Sequence, residues 1–250
     1  MLTRIGLLAI LLVVLIPSGY AQDFKSEQMD YGRVKKAYKD KGALVRNIIS
    51  ANGIDSADMN IFIRVFKEEH LMEIWGSDSL HDAYVLLNEY HICRVSGEAG
   101  PKRRQGDLQV PEGCYHIDRF NPWSNFHLSF RINYPNSSDR ILSDRRHPGG
   151  EIYIHGACVT IGCIPMTDEK IDEIYIFVVE ATNNGQEEIP VHIFPCRMLG
   201  KCYDSLKDEH ADDEALIEFW SNIEEAYLYF EQNNKLPEFT VDSDGRYCFH

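Results

Sequence analysis

The side-chain period of this chain changes four times, and those changes restrict it to folds that pack helices against a sheet. Tyr31 to Ser50 is rich in Lys, Ala, Leu and Val at loose helical spacing, interrupted at Gly42, and predicts one or two helices. From Ile61 the period is two. Ile61, Ile63 and Val65 alternate with Phe62, Arg64 and Phe66, and Leu71 to Trp75 follows the polar turn Lys67 to His70, the pattern of a hairpin. Tyr84 to Leu87 and Tyr90 to Val95 read as further strand. The clearest alternation sets Phe126, Leu128, Phe130 and Ile132 on one face and His127, Ser129, Arg131 and Asn133 on the other, and Glu151 to His155 reads as another strand. Helical spacing returns after Thr167, a suitable N-cap, with Ile171, Ile174, Tyr175, Val178 and Val179 in one stripe that stops at Asn183-Asn184-Gly185. A strand over Ile189 to Phe194 and a helix from about Asp212 to Glu231, carrying Leu216, Phe219, Trp220, Ile223, Tyr227 and Phe230 on one face, complete an α+β pattern with helices at both ends of a sheet.

Arg4 precedes the apolar run Ile5 to Pro17, and Gly19-Tyr20-Ala21 supplies small residues at a cleavage site, so 1–21 reads as a signal peptide and the protein as exported. The apolar run is short for a bilayer span. Residues 22–57 form an N-terminal helical segment and 58–250 the main domain, with no repeat or linker to divide it. The formal net charge of −14 works against binding nucleic acid, whose phosphates need a basic surface. Seven cysteines in an exported chain suggest pairs plus one free thiol; Cys196 and Cys202 are close enough for a local bridge. Asn136-Ser137-Ser138 fits a glycosylation acceptor.

The stretch Glu151 to Met166, EIYIHGACVTIGCIPM, carries the chemistry. Cysteine acyl transfer needs a thiolate, a base, a group that orients the base, and N–H donors for the developing oxyanion. Cys163 lies in a turn before a helix whose positive end would lower its pKa. His155 ends a strand eight residues earlier and is the candidate base, with the Gly156 carbonyl as its orienter. Gly162 permits a turn closed to other residues, and its amide and that of Cys163 are candidate oxyanion donors. Three other readings stay open on these residues: a plain buried pair, Cys158 as the nucleophile, and a zinc set of His155, Cys158 and Cys163 with His116 or His147.

His155-Gly156 followed by Thr160-Ile161-Gly162-Cys163-Ile164-Pro165-Met166 resembles the active-site signature of the L,D-transpeptidase (YkuD) catalytic domain family, in its YafK-type branch. The blocks FIRVFKEEHLMEIW, GPKRRQGDLQVPEGCYHI, LSFRINYPN, GGEIYIHG and IPVHIFP extend the resemblance over about Ile61 to Pro195. It implies a YkuD-type β-sandwich-like catalytic domain acting in the periplasm or cell envelope on peptidoglycan stem peptides, with no cofactor or metal. Cys163 would form a thioester with the diamino acid at stem position three, His155 would be the base and Gly156 its orienter, and the acyl group would pass to an amine or to water. Two positions depart from the family: Ile161 stands where many members have histidine, and Pro165 where they have arginine. Similar members of the branch cut the bond to a wall-anchored lipoprotein, so hydrolysis is one alternative and a non-catalytic wall-binding module another. Tyr134, Arg145 and Arg146 are weaker candidates for substrate contact, the arginines through the stem's carboxylates. Asp107 and Glu112 are as well explained by loop geometry and capping.

Overall fold

The computed structural model describes residues 24–250, so the predicted signal peptide lies outside the described residues. Helices α1 (Phe24–Gln28) and α2 (Gly32–Ala51) precede strands β1 (Asn60–Phe66), β2 (Leu71–Ser77), β3 (Val85–His91), β4 (Gly113–Asn121) and β5 (Ser129–Ile132). After α3 (Ser137–Leu142) come β6 (Tyr153–His155), β7 (Ile164–Pro165), α4 (Asp168–Asn183) and β8 (Ile189–Phe194). Helices α5 (Lys201–Glu209) and α6 (Glu214–Asn233) and the hairpin β9 (Phe239–Val241) and β10 (Tyr247–Phe249) close the chain. Among the described residues no helix is long and apolar enough to cross a membrane.

The first eight strands form one mixed sheet in the order β3-β2-β1-β8-β4-β5-β6-β7. Pairs β1–β8 and β6–β7 are parallel and the rest antiparallel. Irregular register at Ile74/Trp75 and Ile117/Arg119 bends the strands and curls the sheet. The α+β architecture with helices at both ends is therefore as the sequence predicts, carried by a single curled sheet.

β1 is buried on both faces, and its alternation sorts the two cores. Ile61, Ile63 and Val65 join the stripe of α4 and the buried side of α2, while Phe66 packs with Phe194, Trp220 and Tyr227 toward α6. Arg64 sits in this second layer yet is only 2% exposed. Its Nε donates to Glu73 at 2.7 Å and Nη1 to Glu231 at 2.6 Å, with the guanidinium 4.8 Å from the Phe230 ring. A buried charge persists only with such partners. Lys67 is held likewise by Glu112 at 2.8 Å, and Glu112 also accepts from Trp220 at 2.8 Å, so Glu112 is a structural residue.

Several elements differ from the sequence reading. α2 runs unbroken through Gly42, because packing on α4, helped by the Lys41–Glu173 ion pair at 2.8 Å, outweighs one glycine's poor propensity. β3 is one strand where two were expected. β5 begins only at Ser129: His127 takes φ +68, and Arg33 Nη1 fixes the turn by donating to the carbonyls of Ser124 and His127 at 2.5 and 2.6 Å. Thr167 does cap α4, accepting from Lys170 N at 3.4 Å. Asn136 is an N-cap rather than an open glycosylation site, since its side chain accepts from Asp139 N at 3.0 Å and donates to Cys114 O and Tyr247 OH at 2.9 and 2.8 Å.

Candidate active site

β6 and β7 end the sheet, and their register decides what faces the cleft. Ile154 pairs with Ile164 and His155 with Pro165. Ile154 and Ile164 are buried toward the core, which leaves Tyr153, His155 and Cys163 on the opposite face by the two-residue period. His155 and Cys163 line one cleft of about 1020 Å³, open to solvent. Non-glycine residues with positive φ flank β6 at both ends, Glu151 at +55 and Ala157 at +61. Backbone of that kind costs about 1–3 kcal/mol per residue and concentrates at working sites.

His155 is 2% exposed. Its Nδ1 lies 2.5 Å from the Gly156 carbonyl, which can only accept, so Nδ1 carries the proton and Nε2 is left with its lone pair. Phe126 covers the ring with centroids 4.8 Å apart. Burial lowers the histidine below its ordinary value, partly offset by the bond to Gly156, so the imidazole is neutral near pH 7. Only glycine fits at 156. A Cβ there would lie 2.7 Å from Asp168 Oδ1, 2.8 Å from His127 Cβ and 2.9 Å from the Phe126 carbonyl.

The Cys163 sulfur accepts from Tyr153 N at 3.5 Å and donates to the Glu151 carbonyl at 3.7 Å. Among the described residues it makes no hydrogen bond to His155. Burial pushes the thiol above its ordinary value, against lowering by the Tyr153 amide and the nearby Lys102 charge. This overturns the expected depression by a helix terminus. Asp168 in the first turn of α4 instead accepts from the Ala157 N–H at 2.9 Å. Burial thus favours the uncharged form of both groups.

Gly162 has φ +133, and a Cβ there would meet the Gln109 carbonyl at 3.0 Å. Its amide is already used, however: it donates to Thr160 Oγ1 at 3.1 Å, and Thr160 Oγ1 in turn donates to Cys163 O at 2.6 Å. The expectation of two free oxyanion donors is thus corrected for Gly162. The Cys163 N–H makes no hydrogen bond among the described residues.

Cys158 is bonded to Cys93, with their Cα atoms 5.5 Å apart, so it is neither a free nucleophile nor an available ligand. This breaks the zinc set weighed from sequence, and His116 lies in a different groove beside Asn133 and Glu188. Cys196 and Cys202 are free thiols rather than a bridge. With Glu69 they hold their ligand-type atoms within 4.8 Å of one another.

The weaker candidates divide. Arg146 lines the cleft, whereas Arg145 is exposed and does not. Tyr134 is buried beneath the loop, donating to Pro148 O at 2.9 Å, and borders the neighbouring groove of about 800 Å³ instead. Its part is to support the rim rather than to meet a ligand in the cleft. Asp107 holds Lys102 at 2.6 Å and accepts from three loop amides, those of Arg103, Arg104 and Gln109, which fixes the loop as its composition suggested. Sequence reasoning gave Glu151, Lys102 and Phe126 no part in the site, and Thr160 only a place in the family signature. Thr160 two residues before Gly162 carries the signal of a hydroxyl-closed turn; the other three depend on long-range folding.

The chain matches the family of the L,D-transpeptidase catalytic domain, YkuD, over residues 61–193. It is 38% identical over 189 residues to YafK of Escherichia coli (strain K12), provisionally named an L,D-transpeptidase, covering 75% of this chain and 72% of that protein. Similar solved structures include an alanine variant of the helical cell shape determining protein Pgp2 from Campylobacter jejuni, at 20% identity and TM-score 0.45, covering 75% of this chain and 66% of that one. Bd1075 of Bdellovibrio bacteriovorus matches at 20% identity and TM-score 0.41, over 66% of this chain and 58% of that one. A family match over more than half of the sequence, with YafK similar over more than two thirds of each chain, makes this protein a member of the L,D-transpeptidase (YkuD) family.

Proposed function

We propose that the protein is an exported cysteine acyltransferase of the L,D-transpeptidase type, acting on peptidoglycan stem peptides. The observation that carries this reading is the shared face of β6 and β7, from which a thiol and a neutral imidazole open into one cleft.

The Cys163 proton passes to His155 Nε2 as the sulfur attacks the carbonyl of the diamino acid at stem position three. The oxyanion forms at the Cys163 N–H. The tetrahedral intermediate collapses to a thioester, and the leaving amine takes the proton from the imidazolium. An incoming amine then loses a proton to His155, attacks the thioester and frees the thiol, giving a cross-link. With water in that place the outcome is cleavage, including release of a wall-anchored lipoprotein.

The test is to incubate mature protein with tetrapeptide muropeptides, with and without an acceptor amine, and to weigh the products. Cross-linked product only with amine supports transfer; free tripeptide without amine supports hydrolysis. Cys163→Ala is expected to abolish both, and His155→Ala to slow thioester formation by about two to four powers of ten. Wild-type rates in either variant refute the roles.

A further inference from the structure

Ser129 stands directly across the β5–β6 ladder from His155, so the two side chains leave the sheet on the same face. The residue is 1% exposed, and among the described residues its hydroxyl has no hydrogen-bond partner. Tyr38, Glu69 and Ser143 also hold buried polar atoms without partners, but among these four only Ser129 lines the cleft. A hydroxyl buried without a partner is unfavourable, and in a folded protein it finds one in a ligand or an ordered water. What enters the cleft is the available partner here. His155 Nδ1 is committed to Gly156, so proton exchange runs through Nε2, beside which that partner must arrive.

Building on the acyl-transfer reading, we infer that the Ser129 hydroxyl holds the atom that exchanges a proton with His155. During thioester formation this is the leaving amine: it takes its proton from the imidazolium while another of its hydrogens is donated to Ser129 Oγ. During breakdown it is the incoming amine or water, one hydrogen going to Nε2 and a second resting on Ser129 Oγ. No bond to Ser129 forms or breaks.

Ser129→Ala separates this role from a structural one. Because the alanine removes a buried polar group that has no partner, Tm is expected to be unchanged or higher. The kcat for muropeptide turnover is expected to fall about tenfold with KM nearly unchanged, the loss of one hydrogen bond in the transition state. Alkylation of Cys163 by iodoacetamide, which has no leaving amine to protonate, keeps its rate and pH profile. Ser129→Thr, which restores a hydroxyl, recovers most of the turnover. Wild-type kcat in Ser129→Ala overturns the inference, as does a lower Tm or an equal loss in the alkylation rate. A wild-type protein that forms neither thioester nor product overturns the acyl-transfer reading itself, whereas an active wild type matched by Ser129→Ala overturns only the role of Ser129.

Discussion

The Thr160 hydroxyl closes the reactive turn by donating to the Cys163 carbonyl at 2.6 Å while accepting from the Gly162 amide at 3.1 Å. One side chain thereby ties the Ile161–Gly162 peptide to the Cys163–Ile164 peptide across the turn. Thr160→Val keeps the shape and removes both bonds. Thioester formation, followed by mass spectrometry with a carbapenem, is expected to slow by about ten- to a hundredfold, and Thr160→Ser to stay near wild type. Equal rates in the valine variant would remove Thr160 from the turn's function.

Gly162 holds φ +133 with the Gln109 carbonyl 3.0 Å from any Cβ placed there. Gly162→Ala strains the backbone and presses on Gln109, so stability is expected to fall by about 1–3 kcal/mol in urea unfolding, with a larger loss of activity than of fold. An alanine variant as stable and active as wild type would mean that the turn does not need this conformation.

The acid limb and the thiol limb should separate in pH. Burial depresses His155 below 6.5, so the imidazole remains neutral as pH falls through 6.5, and the decline in acylation rate is expected at lower pH. Burial raises Cys163 above 9.0, so direct alkylation by iodoacetamide is expected to climb with an inflection above pH 9.0. Stability follows the same sign. The unfolded chain takes up the histidine proton near 6.5 and the folded chain only at lower pH, so this contribution is complete above 6.5 and lost as pH drops through the folded value. A thiol inflection below 9 would contradict the raised thiol, and one below 7 would show that Cys163 rests as a thiolate.

The Cys93–Cys158 bond spans 65 residues and anchors the loop between His155 and Cys163 to the chain just after β3. Alkylation of the denatured, unreduced protein is expected to modify five cysteines, and reduction beforehand to add two more. Replacing both partners by serine is expected to cost about 2–4 kcal/mol of stability. Seven adducts without reductant would rule the bond out.

Much of this architecture is legible in local pattern. The stripe from Ile171 to Val179 reads correctly because it buries a whole face, which leaves a regular period, and β1 because burial on both faces leaves a nearly continuous apolar run. Short elements leave none. α3 has six residues and β7 two, and the cue for α3, Asn136, is the same residue that suggests glycosylation. The order of Gly156, His155, Gly162 and Cys163 was readable from spacing and resemblance. The occupied Gly162 amide, the raised Cys163 thiol and the Cys93–Cys158 bond were not, because each depends on which distant backbone folds against the turn.

β7 is two residues long and, among the described residues, has no neighbour beyond it in the sheet. The reactive turn thus occupies the outermost margin of a framework whose rigid middle is the doubly buried β1. New side chains at the exposed Val159 and Ile161 displace no other strand, so the surface of the cleft is free to change in evolution while the scaffold stays the same.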